Sequence, residues 1–202
     1  MKLLYWLDEW LTLPRNEQQT RLPMTGNDLL GDVFVKYDFV DVNKPLLFTF
    51  SPAGTNVQEQ DLHPDFAPWG YHLAQKQNVN VIAFQHLGKS NWFRNRNLIF
   101  FLEQLSTLLT PFNCRLGYGL SRGGFAVGAF AKLLKLNQVL FFHPVSTKNK
   151  ELVPWDDRSS TDIAQQFDWQ QDYHDLDLGD AQGYVIYDPT NRIDRMHAKR
   201  YK

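Results

Sequence analysis

The sequence predicts an α/β fold in which a mostly parallel central sheet carries helices on both faces, giving three layers. Two observations predict it. Short, nearly continuous apolar runs recur along the chain, as in strands that are buried on both faces of a sheet. Segments with apolar residues at helical spacing lie between these runs, so strand and helix alternate in βαβ units. Apolar residues make up 43% of the 202 residues and charged residues 21%, which is an ordinary globular balance.

The predicted elements follow in order along the chain. Residues 2–12 have helical spacing, and the polar residues 15–28 are predicted to be irregular. Residues 32–42 (DVFVKYDFVDV) alternate apolar and polar side chains, which predicts a half-exposed strand or hairpin at the antiparallel edge of the sheet. The buried strands that we expect are 45–50, 79–85, 115–120, 138–143 and 183–187. The helices that we expect between them are 69–77, 97–109 and 122–136.

Residues 148–180 interrupt this alternation. They include the sequence PWDDR at 154–158 and an acidic stretch that ends at Asp180. The acidic residues lack the spacing of a calcium-binding loop, so we expect no metal site there. The segment is predicted to be a lid or excursion over one end of the sheet, so that residues 1–202 form a single domain.

The composition excludes several classes of protein. Lys and Arg number 21 against 22 Asp and Glu, and a net charge of −1 gives no electrostatic basis for binding nucleic acid or an anionic membrane. The single cysteine, Cys114, excludes an internal disulfide framework and a cysteine-based zinc site. No apolar stretch is long enough to span a membrane, and Asp8 and Glu9 interrupt the apolar start where a signal peptide would continue. We therefore expect a soluble cytoplasmic protein that acts on a small molecule, in an oligomeric state that the sequence leaves open.

The most informative motif is G-x-S-x-G, at Gly119, Ser121 and Gly123. It lies between a predicted buried strand and a predicted helix, which is the setting of a nucleophile elbow. A sharp turn there projects the serine hydroxyl from the carboxyl edge of the sheet, and the glycines leave room for the turn. The backbone N–H of Arg122 then faces the site at the start of a helix, whose partial positive charge favours an oxyanion.

On this motif and this order of elements, residues 32–202 resemble the α/β-hydrolase superfamily. The resemblance implies a serine nucleophile, an acid after a later strand and a histidine near the end of the chain. It also implies an oxyanion-hole amide from the loop after the first central strand. That loop follows LLFTF, and Ala53 and Gly54 are its candidate donors. This chemistry requires no cofactor, because side chains supply the base and the nucleophile.

The resemblance assigns the acid to Asp188, directly after GYVIY, with Asp194 in reserve. Of the six histidines, His197 alone follows the acid, in a terminal helix for which Asp194 is the predicted N-cap. The family's pattern places one more strand before its histidine. The chain ends at Lys202 without room for that strand, so a shortened or degenerate C-terminal end, with the base beyond it, is an alternative.

Four other side chains are candidate substrate contacts. His86 and His143 each end a predicted strand, and ligands bind at the carboxyl ends of parallel strands. Either histidine is also an unorthodox candidate for the base. Trp92 lies in a basic, aromatic loop that suits an anionic or sugar-like ligand, and Trp155 is a predicted wall of the pocket.

Two functions are consistent with these residues. The first is an esterase-like serine hydrolase or acyltransferase, in which Ser121 attacks an ester, thioester or amide, His197 takes its proton and Asp188 orients His197. The second is a non-catalytic, hydrolase-like protein that binds a small polar or glycan ligand above the elbow. A nucleotide-binding function is disfavoured because neither phosphate-binding fingerprint occurs at the glycine-rich turn.

Overall fold

The computed structural model describes residues 1–54, 57–88, 92–158 and 171–201. One seven-stranded sheet organises these residues. Its strands are β1 (Met24–Leu30), β2 (Val33–Phe39), β3 (Leu46–Phe50), β4 (Asn80–His86), β5 (Arg115–Leu120), β6 (Gln138–Phe142) and β7 (Gln182–Ile186). The α-helices are α1 (Lys2–Leu11), α2 (Arg15–Thr20), α3 (Tyr71–Gln77), α4 (Arg96–Leu108), α5 (Arg122–Phe130) and α6 (Arg192–Lys199), and a short 3₁₀ helix spans Glu59–Asp61.

The strands lie in the order β1-β2-β4-β3-β5-β6-β7. β1 and β2 form an antiparallel hairpin, β2 runs antiparallel to β4, and every other pair is parallel. In the central register Phe48 pairs with Ile82 on one side and Gly117 on the other. The predicted α/β fold class is therefore confirmed.

Helices cover both faces of the sheet. On one face α1, α4 and α5 enclose the larger core, in which the rings of Phe50 and Phe84 stack 4.5 Å apart. On the other face α3 contributes Tyr71 and Ala74 to a smaller core. Burying these aromatic and aliphatic side chains supplies the main stabilising free energy. Of the helices described, none is both long and apolar enough to cross a membrane.

Four sequence predictions about elements are wrong. Residues 15–28 are not irregular, because they form α2 and the first part of β1, an edge strand on which Thr25 and Asn27 are exposed and Asp28 is buried against the start of α1. The antiparallel edge is therefore β1, and β2 is an interior strand. β7 is largely exposed because it has only β6 beside it among the described strands. Helix α5 ends at Phe130, and Lys135, with φ +51°, closes the turns that follow it.

Candidate active site

Ser121 occupies a strained turn between β5 and α5. Its backbone angles are φ +54° and ψ −116°, a conformation that non-glycine residues rarely adopt, and it is the N-cap of α5. The two motif glycines explain how the turn packs. A Cβ atom at Gly119 would lie 2.6 Å from the Gly123 carbonyl oxygen, and one at Gly123 would lie 2.1 Å from the Phe50 carbonyl oxygen. The elbow therefore rests directly on the last residue of β3.

The backbone of Ser121 is held from both sides, while its hydroxyl is not. Its N–H donates to the Phe142 carbonyl at 3.0 Å, and its carbonyl accepts from Val145 at 3.3 Å and from Phe125 at 3.2 Å. The residue is half-buried. In the described part of the chain, no group hydrogen-bonds to the Ser121 hydroxyl. The turn is thus fixed by the end of β6, whereas the hydroxyl has no described hydrogen-bond partner.

The loop after β3 is hydrogen-bonded to the side chain of Arg122. The Arg122 guanidinium is buried and donates through Nη2 to the Pro52 carbonyl at 2.9 Å. Burial lowers the pKa of Arg122 to about 9, so the group still carries its charge at neutral pH. Ala53 and Gly54 follow on the exposed side, with Gly54 at φ +90°. The next residues of the predicted oxyanion loop, 55 and 56, lie outside the described residues.

His86 contacts the same loop from its buried side. It is buried, and its Nε2 lies 3.4 Å from the Pro52 carbonyl oxygen. Because a carbonyl can only accept, the ring proton is on Nε2. Burial, with a smaller contribution from the Arg122 charge, lowers the pKa of His86 to about 3, so the ring is neutral. The structure therefore places His86 beneath the loop and not at a surface that a substrate could reach.

The structure does not bring Asp188 and His197 together. Asp188 is exposed, and its carboxylate accepts from Thr190, at 2.8 Å from the backbone N–H and 2.7 Å from the hydroxyl. These hydrogen bonds lower its pKa. His197 is buried, with Nδ1 at 2.8 Å from Ser146 Oγ and Nε2 at 2.9 Å from Asp156 Oδ2. Both ring nitrogens of His197 therefore have buried hydrogen-bond partners other than Ser121.

The tautomer of His197 follows from its partners. The Ser146 backbone N–H donates to Nδ1 at 3.1 Å, so Nδ1 carries no proton and Nε2 donates to Asp156. Burial lowers the pKa of His197, against the opposing effect of Asp156. The ring is thus a neutral connector between two buried side chains.

Asp156 is the centre of a buried ionic network. Its carboxylate accepts from Lys148 at 2.7 Å and from Arg158 at 3.1 Å, besides His197. Burial by itself would raise the pKa of Asp156, but the hydrogen bonds from these three residues hold it far below its usual value. The network ties the segment after β6 to α6.

The network reaches the surface at His143. Arg158 also binds Asp194 at 3.0 Å, and Asp194 Oδ2 lies 3.3 Å from His143 Nδ1. Asp194 is in the first turn of α6, whose N-cap is Asn191; the prediction that Asp194 itself is the N-cap is wrong. The His143 side chain is 48% exposed, at the end of β6. No described residue hydrogen-bonds to its Nε2.

The two candidate tryptophans have different surroundings. The Trp92 ring lies 5.8 Å from Lys148 Nζ and packs edge-on against Phe125. The Trp155 ring packs edge-on against His197 at 4.7 Å between centroids, so it covers the buried network. Residues 89–91 of the basic loop and residues 159–170 of the predicted lid lie outside the described residues. Where the chain is described, no three His, Cys, Asp or Glu side chains cluster as metal ligands.

Sequence reasoning missed Ser146, Lys148 and Asp156. They lie in a stretch without strand or helix periodicity, so no spacing relates them to His197. The one available signal was a lysine and an aspartate eight positions apart after a strand, which is too common to indicate a buried pair.

Comparison with solved structures identifies the fold. The fluorophosphonate-binding serine hydrolase F (FphF) of Staphylococcus aureus superposes with a TM-score of 0.52 at 12% identity, over 89% of this chain and 85% of that one. The hyperthermophilic esterase of Pyrobaculum calidifontis gives 0.51 at 12% identity, over 98% and 76%. The capsule O-acetyltransferase of Neisseria meningitidis serogroup A gives 0.51 at 11% identity, over 91% and 97%.

A further neighbour is much longer than this chain. The Glycosylation Associate Protein (Gap123) complex from Streptococcus agalactiae gives a TM-score of 0.53 at 13% identity, and the match spans 81% of this chain but only 35% of that one. No family model and no curated protein matches the sequence. At these identities the likeness concerns architecture, and it shows that the chain has the fold shared by the α/β hydrolases.

Proposed function

We propose that the protein is a serine hydrolase or acyltransferase that uses Ser121 to attack an ester, thioester or amide of a small molecule. The observation that carries the proposal is the conformation of Ser121, which sits at φ +54° between β5 and α5 with a hydroxyl free of described partners. Non-glycine backbone strain of this kind persists where the surrounding structure enforces it and is concentrated at functional sites. Neighbours of the same fold include a serine hydrolase, an esterase and an O-acetyltransferase.

The proposed reaction begins when Ser121 Oγ adds to the carbonyl carbon and the carbonyl oxygen becomes an oxyanion. The Arg122 N–H is in the first turn of α5, where backbone donors lack helical acceptors. The N–H groups of Ala53 and Gly54 are the proposed second donors. The buried Arg122 guanidinium adds a positive charge on the inner side of the loop that carries these amides, and a positive charge there favours the developing negative one.

His143 is the base that the geometry favours. It ends β6, directly beside the strand end that precedes Ser121, and Ser121 N–H binds the carbonyl of the residue before it. Its Nδ1 faces Asp194, which would hold the ring and stabilise its cation, and this leaves Nε2 for the serine proton. His197 and Asp188, the pair that the sequence favours, stay a competing proposal that the same assay tests.

A fluorophosphonate probe tests the proposal. In the expected reaction Ser121 Oγ bonds to phosphorus, fluoride leaves, and the base takes the hydroxyl proton. The full chain should be labelled, Ser121→Ala should not be, and the control Ser106→Ala, on α4, should be labelled like the parent. His143→Gln should slow labelling by about 10²-fold or more, as loss of a general base does. If only His197→Gln slows it in a folded sample, the competing assignment is correct.

The alternative is a non-catalytic protein that binds a small polar or glycan ligand at this edge of the sheet. The absence of a described imidazole on the Ser121 hydroxyl favours it, although catalytic hydrogen bonds can be long before a substrate binds. This function predicts no labelling of the folded full chain at any serine. It also predicts that Ser121→Ala leaves the protein's ligand affinity unchanged.

A further inference from the structure

The side chain of Arg122 contacts the loop that carries the second proposed oxyanion donor. Arg122 follows the nucleophile, and its guanidinium reaches back beneath the site to the Pro52 carbonyl at 2.9 Å. Residue 122 is thus connected to the site twice, through its own backbone N–H and through a residue 70 positions earlier.

The direction of the Pro52 carbonyl fixes the direction of the next amide. In a trans peptide the C=O and the following N–H point in opposite directions. The Pro52–Ala53 bond is trans, because the one cis bond in the described chain is Leu22–Pro23. The carbonyl points inward, to Arg122 Nη2 and towards His86 Nε2, both of them buried. The Ala53 N–H therefore points outward, towards the exposed side of the loop.

The loop lies against the elbow. A Cβ atom added at Gly123 would be 2.1 Å from the Phe50 carbonyl oxygen and 3.3 Å from that of Ser51. The chain thus passes the elbow immediately before it reaches Pro52 and Ala53. In the described chain no acceptor binds the Ala53 N–H or the Arg122 N–H. Two backbone donors without described acceptors therefore lie in segments that adjoin each other: Arg122 in the elbow, and Ala53 three residues after Phe50, which the elbow contacts.

We propose that Arg122 is a positioning residue, whose buried guanidinium holds the Pro52 carbonyl inward so that the Ala53 N–H serves as the second oxyanion donor. The role rests on the proposed function. It accounts for a buried guanidinium whose described hydrogen bond goes to a carbonyl of the loop beside the elbow. His86 assists through its Nε2, which lies 3.4 Å from the same carbonyl oxygen.

The test compares Arg122→Met, Arg122→Lys and the control Arg115→Met in the full chain. Arg115 also donates from a half-buried guanidinium to carbonyls, those of Phe112, Leu134 and Leu109, but at the opposite end of β5. With a fluorophosphonate, Arg122→Met should lower the maximal rate of inactivation by about 10²-fold, as loss of one oxyanion donor does. The concentration for half-maximal rate should change less than about twofold, and Arg122→Lys should restore part of the rate, because a lysine keeps a donor to a carbonyl. Arg115→Met should keep the parental rate in its folded fraction.

A crystal structure of Arg122→Met makes the test independent of reactivity. The Pro52 carbonyl should turn away from its inward position or take several orientations. A peptide that keeps its orientation without the guanidinium overturns the proposal, whether or not the rate falls, because a lower rate would then reflect the lost charge alone. If the parent protein is not labelled at all, the proposed function fails. The orientation of the Pro52–Ala53 peptide in the variant still decides whether Arg122 positions the Pro52 carbonyl.

Discussion

Gly123 shows how tightly single residues define the elbow. The position has no room for a methyl group because a Cβ there would lie 2.1 Å from the Phe50 carbonyl oxygen, which belongs to the backbone of β3. The turn at Ser121 therefore depends on the residue two positions after the serine as well as on the serine itself.

Gly123→Ala should lower the free energy of unfolding by at least about 1–3 kcal/mol, the usual cost of overpacking, because β3 and α5 must separate. The matched control is Gly128→Ala in the same helix. There the closest atom is Leu176 Cδ2 at 2.5 Å, the end of a side chain that can move, and alanine gains about 1 kcal/mol in helix propensity. Chemical denaturation of both variants measures the difference. Equal stability of the two would contradict the packing that we describe.

At the scale of elements, the segment after β6 is bound to α6 by an ion pair and by hydrogen bonds. Residues 143–158 contain no described helix or strand, yet their side chains are bound to α6 through Asp156 and Asp194. Asp156 is fully buried and the Lys148 side chain is 5% exposed. Such a pair contributes little net stability when intact, but removing one partner leaves the other charge buried alone.

Asp156→Asn should therefore cost about 3–5 kcal/mol of unfolding free energy, the usual penalty for breaking a buried ion pair. The neighbouring control, Asp157→Asn, changes an exposed carboxylate and should stay within about 0.5 kcal/mol of the parent. Denaturant titrations at neutral pH measure both. If Asp156→Asn loses no more unfolding free energy than Asp157→Asn, the network does not contribute to stability.

The contacts of this segment could not be predicted from the sequence. The parallel strands β3 to β7 and the sharp turn at Ser121 could be predicted as elements, because apolar runs and the glycines around Ser121 are local signals, but the exposure of β7 could not. The partners of His197 could not, because Ser146 and Asp156 are 51 and 41 residues away from it and no periodicity links them. Asp188 fits the pattern of an acid by position, but the structure shows its carboxylate bound to Thr190 in a local turn.

At the scale of the whole molecule, burial of neutral histidines makes stability depend on pH. The pKa of His86 falls from 6.5 to about 3 in the folded chain. Between these two values the unfolded chain binds a proton that the folded chain does not, so acid favours unfolding. The contribution of His86 is complete above pH 6.5 and is lost as the pH falls towards 3.

The free energy of unfolding should accordingly fall by up to about 1.4 kcal/mol per pH unit for this histidine below pH 6.5. His86→Gln should remove that part of the slope. His72→Gln, which changes an exposed histidine on α3, should leave the curve unchanged. Denaturant titrations from pH 7 to pH 4 measure the slopes. A His86→Gln curve as steep as that of the parent would show that His86 is not protected from protonation.

The contact between Gly123 and Phe50 has one more consequence. It joins two segments that are 73 positions apart in sequence and that meet only when β3 lies between β4 and β5. The pentapeptide around the serine does not contain the atoms that hold its dihedral angles. The conformation of Ser121 is thus an outcome of long-range assembly, and a partly folded chain would contain the same five residues without this backbone geometry.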